Sequence, residues 1–175
     1  MKKLAHHAIP RPAADELRHL ERRPVSVLLH DVRSAHNVGS VFRTADAFRI
    51  GEVLLSGYTP DPDDKKVHKT ALGAEATVPW RRVADVHQEL TRCMETGVTV
   101  AALELTDVSV DIRDLPVLTR PILLLAGNEV DGIPQALLDL CDLAIEIPQY
   151  GAKQSLNVSV AVAVALFELT RTFRS

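Results

Sequence analysis

From Pro24 onward, short apolar runs alternate with stretches in which apolar residues recur every three or four positions. PVSVLLHDV (24–32) is β-branched and apolar behind a proline, and predicts a buried strand. In NVGSVFRTADAF (37–48), Val38, Val41, Phe42, Ala45 and Phe48 fall at helical spacing, with Asn37 as the expected N-cap. EVLLSG (52–57) predicts a second strand, and YTPDPDDKKVHKT (58–70), with two prolines and a charge cluster, a polar loop. VADVHQELTRCMETG (83–97) has helical spacing up to Gly97; VTVAALEL (98–105), PILLLAG (121–127) and LAIEIP (143–148) read as strands, with a short helix over 134–140. Strands alternating with helices imply an α/β fold with a mainly parallel sheet flanked by helices. Residues 1–12 read as an extended arm and Ala14 to Glu21 as a short helix, so an N-terminal extension (1–23) precedes a domain over 24–175.

The last apolar segment carries conflicting signals. Val158, Val160, Val162 and Val164 alternate with small residues, which is the period of a strand. SLNVSVAVAVALFELTRTF is nevertheless long enough for about five helical turns, and Ser155 and Asn157 offer capping chemistry at its start. Length argues for a helix and period for a strand.

Composition narrows the class. The 175 residues are 46% hydrophobic and 25% charged, enough for one buried core. No apolar run reaches the roughly 18 residues of a membrane span, and no apolar segment follows Lys2 and Lys3 before Pro10. Cys93 and Cys141 lack CxxC spacing, so two reduced cysteines and a cytoplasmic location are expected. The net charge of -3 hides an asymmetry: residues 1–49 hold nine Lys or Arg against five Asp or Glu, and the rest eleven against eighteen. A basic end on an acidic chain suits a polyanion, although Arg18, Arg22 and Arg23 could equally solvate a short helix.

Familiar nucleotide and catalytic signatures are missing. GxGxxG does not follow the first strand, and GxxxxGK[ST], HExxH and GxSxG do not occur; no metal is expected. Three polar clusters remain, each after a predicted strand: HNVGSVFRTA, GNEVDGIP and IPQYGAKQSLNVS. Ligands of open α/β sheets bind outside the carboxyl ends of strands, so these loops could converge on one pocket. Each also has a plain reading. Asn37 could simply cap its helix, Gly127 and Gly132 permit tight turns, Ser155 and Asn157 cap the last helix, and Arg43 face solvent.

Taken together and in this order, NVGSVFRTA, GNEVDGI and IPQYGAKQSLNVSVAVAVALFE resemble the three motifs of the SpoU (TrmH-like) RNA ribose methyltransferases of the SPOUT superfamily. The likeness runs from about Val25 to Phe173, and KTALGAEATVPW and LTDVSVDIRD resemble that family's connecting segments. One departure is Val130, where the second motif often carries glycine. The resemblance implies transfer of a methyl group from S-adenosyl-L-methionine to a ribose 2'-hydroxyl, in tRNA more than in rRNA because little chain lies outside the domain. It also implies a deep C-terminal trefoil knot, a helix over 157–173, and a homodimer paired through that helix.

By the same resemblance, backbone near Leu103, Gly127, Ile147, Ser155 and Leu156 holds the methyl donor, and Glu129 lines the pocket or organises its loop. Arg43 carries the chemistry, as base or as electrostatic stabiliser, oriented by Asn37, while Ser155 and Asn157 position the reacting groups. Arg11, Arg18, Arg22, Arg23, Lys65, Lys66 and Lys69 are expected to track RNA phosphates. The alternatives are a non-catalytic RNA-binding homologue and a methyltransferase with a non-RNA acceptor.

Overall fold

The chain runs β1 (Val25–His30), α1 (Ala35–Phe48), β2 (Val53–Ser56), α2 (Lys65–Ala71), β3 (Trp80–Val83), α3 (Val86–Glu95), β4 (Thr99–Leu103), β5 (Val110–Asp111), β6 (Ile122–Ala126), α4 (Gln135–Leu138), β7 (Leu143–Glu146) and α5 (Val158–Thr172). The structure is a computed structural model and describes residues 1–5, 8–9, 16, 19–153 and 155–173. About half of the arm and short helix expected over 1–21 falls outside the described residues, including Arg11 and Arg18.

The strands form one seven-stranded sheet, ordered β3-β2-β1-β6-β4-β7-β5, in which every pairing is parallel. The continuous apolar runs of the central strands follow from burial on both faces. Val27, Leu29, Leu55 and Leu124 face α1, α2 and α5; Leu28, Leu54, Leu123 and Leu125 face α3 and α4. Among the described residues, no helix is long and apolar enough to cross a membrane.

Several local expectations change. Helix α1 starts two residues earlier than Asn37, and Ser34 is its N-cap, accepting from Asn37 N at 3.3 Å. The polar stretch 58–70 contains α2, capped by Asp64. Only Val67 and Ala71 of α2 are buried, too few apolar positions to display a period. Strands β3 (WRRV) and β5 (two residues) were not expected; neither shows alternation, and both sit at sheet edges. The last segment is helical, as its length and the resemblance imply. Its buried residues Val162, Ala165, Leu166 and Leu169 are spaced three and four apart, and the exposed Val160 and Val164 create the misleading alternation.

One feature of the topology positions the site. Strand β7 inserts between β4 and β5, which are consecutive in sequence, so that Leu103 and Val110 flank Ile145 from opposite sides. The connection between them passes over β7, where Thr106 to Val108 share a cavity with Leu138 and Cys141. Ile112 and Leu115 then pack on the opposite face of the sheet with α5. Residues 104–115 therefore wrap around β7, and the chain leaving β7 emerges beside the loops that follow β4 and β6.

Candidate active site: a cleft built from three loops

The ends of β4, β6 and β7 and the approach to α5 enclose a cleft of about 1080 Å³. This is just above the usual range for small-molecule sites, about 300–1,000 Å³. Leu103, Gly127, Ile147, Ser155 and Leu156, the expected donor-binding residues, all line it, as do Glu129 and Asn157. Its floor is apolar, from Leu103, Ala126, Ile145 and Ile147. Among the described residues, its polar lining carries Glu104, Glu129, Asp131 and Glu146 against the single cation Lys153.

Glu129 ties the second motif to the first. Its carboxylate accepts from Arg33 N at 3.0 Å, Ser34 N at 3.2 Å and Asn37 Nδ2 at 3.0 Å. Burial pushes this carboxyl up, but the bonds from Arg33, Asn37 and Ser34 outweigh it and hold the group below the usual carboxylate range. The position at the start of α1 also suits a negative charge. Asn37 then ties the first motif to the third: its Oδ1 accepts from Asn157 Nδ2 at 3.1 Å. Asn37 is therefore not the helix cap expected from sequence. Asn157 serves twice, because its Oδ1 also accepts from Ser159 N at 2.9 Å and caps α5.

The loop after β6 is closed on itself. Asn128 and Gly132 exchange backbone hydrogen bonds at 3.1 Å, and Asn128 Oδ1 accepts from Val130 N and Asp131 N at 2.7 and 3.1 Å. A Cβ on Gly127 would stand 2.4 Å from Gly132 O, so the close approach this glycine permits is to the opposite side of its own loop. Gly132 needs its φ of +69°, and Glu104 Oε2 accepts from Ile133 N at 3.1 Å beside it. Val130 is not among the residues with positive φ, so the backbone accepts valine at this position; it is 75% exposed at the cleft mouth. Asn128 stands out in the sequence as part of the glycine-flanked loop, but its role in closing that loop does not. Glu104, which holds Ile133 N from 29 residues away, is marked by no local pattern.

Comparison with known proteins places this arrangement. A profile of the SpoU rRNA Methylase family matches residues 24–167. The chain belongs to this family. It is 37% identical over 151 residues to a tRNA (guanosine(18)-2'-O)-methyltransferase of Thermus thermophilus, covering 86% of this chain and 76% of that protein. It is 34% identical over 160 residues to a 23S rRNA (guanosine-2'-O-)-methyltransferase of Nitrosomonas europaea, covering 91% and 60%. Among solved structures, an AdoMet-bound rRNA methyltransferase from Sinorhizobium meliloti superposes with a TM-score of 0.80 at 33% identity, covering 91% of this chain and 61% of that one. The chain thus spans about three fifths of the length of the last two proteins.

The remaining residues expected from the SpoU motifs lie elsewhere. Arg43 is exposed, about two turns along α1 from Asn37, and does not line the cleft. It makes no hydrogen bond or ion pair among the described residues. Lys65, Lys66 and Lys69 are exposed on α2, which packs on α1. Arg22 and Arg23 are partly buried and hold the fold together. Arg22 donates to Ile50 O at 3.0 Å and Thr77 O at 2.6 Å, and Arg23 to Phe173 O at 3.2 Å.

Proposed function

We propose that this protein transfers a methyl group from S-adenosyl-L-methionine to a ribose 2'-hydroxyl of tRNA or rRNA, in the cytoplasm, with residues 24–175 as the methyltransferase domain. The observation that carries this reading is the chain Glu129–Asn37–Asn157, which joins all three SpoU motifs beside the cleft. The cleft suits the donor: an apolar floor for a purine, and four carboxylates against one ammonium for a molecule with a sulfonium and an amino group.

When bound, S-adenosyl-L-methionine supplies an electrophilic methyl group. Glu129, held ionised, contributes negative potential near it and keeps α1 in register with the second motif. The attacking 2'-hydroxyl must lose its proton. Glu129 is a poor acceptor, because three donors already occupy its carboxylate and hold it below the usual range. Glu104 and Glu146 also have partners, in Ile133 N and Ser109 Oγ. An RNA phosphate or water takes the proton in this scheme. Arg43 binds the phosphate and stabilises the developing alkoxide, since a guanidinium offers a planar fork of donors and no acceptor.

A homodimer belongs to this proposal. Val160, Val164 and Phe167 form an exposed apolar stripe on α5, 39–59% accessible, that a second copy would cover. Such pairing offers the exposed Arg43 of one copy to the cleft of the other. The wrap of residues 104–115 around β7 supports the threaded trefoil of the SPOUT fold. Lys65, Lys66 and Lys69, exposed on α2, track further phosphates.

The test is methyl transfer from labelled donor to unmodified total tRNA and to rRNA, offered separately, with the products digested to nucleosides. A labelled 2'-O-methylnucleoside in one pool is the expected result and names the RNA. Label in protein or small molecules, or none with donor binding intact, rejects the reading.

A further inference from the structure

Tyr58 lies outside the cleft, and the chemistry above gives it no task. It belongs to a loop over Gly57 to Thr59, at the end of β2, that is fixed at every residue. Tyr58 N donates to Asp31 Oδ1 at 3.1 Å. Thr59, fully buried, donates to Leu29 O and accepts from Val32 N. Arg82 donates to Gly57 O at 3.1 Å and to Thr59 O at 2.9 Å. Gly57 has φ +60°, and a Cβ there would stand 1.7 Å from Asp31 Oδ1.

The ring is held at its far end too. Asn128 Nδ2 donates to the Tyr58 hydroxyl at 2.5 Å and to Asp31 O at 2.9 Å. Asn128 is the neighbour of Glu129 and lines the cleft, so Tyr58 is one hydrogen bond from the site. Asp31 makes this possible by adopting a left-handed backbone, φ +55°, which is strained for a residue with a side chain. The Arg33 guanidinium lies beside the same hydroxyl and is itself exposed.

Despite these restraints Tyr58 is 54% exposed. The other exposed aromatics among the described residues differ: Phe167 packs edge-on against Phe48, and Tyr150, 85% exposed in the loop after β7, has the Arg113 guanidinium at its hydroxyl. An aromatic side chain immobilised at both ends, with more than half its surface in water, brings little to the core. It is preorganised to receive a planar partner without further loss of side-chain entropy.

We propose that Tyr58 is the stacking platform for an unpaired nucleobase of the RNA substrate, next to the ribose presented to the cleft, with Arg33 placed for the adjoining phosphate. This rests on the RNA reading above. Single-stranded RNA is gripped by such aromatic faces, at about 1–3 kcal/mol per base.

The test compares wild type, Tyr58→Leu and Tyr58→Phe. It measures affinity for unmodified total tRNA and for rRNA fragments, donor affinity by calorimetry, and thermal stability. Stacking predicts that Tyr58→Leu weakens binding of the methylated RNA about tenfold, within the roughly 5- to 150-fold that 1–3 kcal/mol represents, with donor affinity unchanged. Tyr58→Phe, which keeps the ring and loses the hydroxyl, recovers most of that loss. Unchanged RNA affinity in Tyr58→Leu overturns the proposal. So does an equal loss in both variants accompanied by weaker donor binding, which would make the hydroxyl's grip on Asn128 the whole role of Tyr58. If wild type binds donor but neither RNA pool, the RNA reading itself fails, and this inference fails with it.

Discussion

The carboxamide of Asn157 donates to that of Asn37 at 3.1 Å across 120 residues of sequence. Asn37 in turn donates to Glu129, so a residue of each motif takes part in one hydrogen-bonded chain. Groups linked this way act as a unit, and deleting them singly and together should not add. Asn37→Ala and Asn157→Ala are each expected to lower kcat/KM about tenfold, and the double variant by clearly less than their product. Additive losses would show that the two residues act independently.

Arg43 has no partner to lose within the described chain, so its replacement tests chemistry apart from folding. Arg43→Lys is expected to lower turnover at least about a hundredfold, because lysine lacks the planar fork. Melting temperature and donor affinity should stay at wild-type values. Turnover within a few fold of wild type rejects the role. If Arg43 serves the opposite cleft, mixing Arg43→Ala with Asn157→Ala should restore part of the activity that neither has alone.

Gly39, in the first motif, lies where α1 meets α2. A Cβ there would stand 2.6 Å from Val67 O and 2.7 Å from Thr70 Cβ. Gly39→Ala is expected to cost about 1–3 kcal/mol of stability in urea unfolding. Gly151→Ala, where a Cβ meets nothing within 4 Å, serves as the control and should stay within about 0.5 kcal/mol. Equal stability of the two variants would contradict the close helix contact.

Glu89 governs an acid-sensitive point on α3. Two bonds from Arg81, at 2.7 and 3.1 Å, bring its carboxyl down from 4.5 to about 2; burial opposes them, and a further bond from Arg92 assists. Because the folded value lies below the unfolded one, this stabilisation is complete above about 4.5 and disappears as pH falls towards about 2. Glu89→Gln should be less stable than wild type at neutral pH and should lose less stability on acidification. Parallel stability curves for the two proteins would refute this.

The basic residues separate into two groups. Replacing Lys65, Lys66 and Lys69 with glutamine is expected to reduce the log–log salt slope of RNA binding by about 2, at roughly 0.7 per lost phosphate contact, without changing the melting temperature. Arg22→Gln should lower the melting temperature, because the carbonyls of Ile50 and Thr77 lose their donor. A stable Arg22→Gln with a flattened salt slope would assign that arginine to RNA instead.

The sequence by itself determined the central strands, because β1 and β6 are buried on both faces and show it as unbroken apolar runs. It also located the three motif loops, as polar, glycine-bearing clusters that follow predicted strands. It left α2, β3 and β5 hidden, since short or edge elements bury too few side chains to impose a period on the chain. Tertiary structure alone decided that Ser34 caps α1 and leaves Asn37 free to join Glu129 to Asn157. Length and motif resemblance already pointed to a helix over 158–172; packing shows why the valine alternation misleads, because the core accepts Val162, Ala165, Leu166 and Leu169 together. The position of β7 between two consecutive strands, and the hold on Tyr58 from Asp31 and Asn128, are contacts between distant segments. Local patterns carry no record of such contacts, since a hydrogen bond across 70 residues leaves no spacing in the sequence.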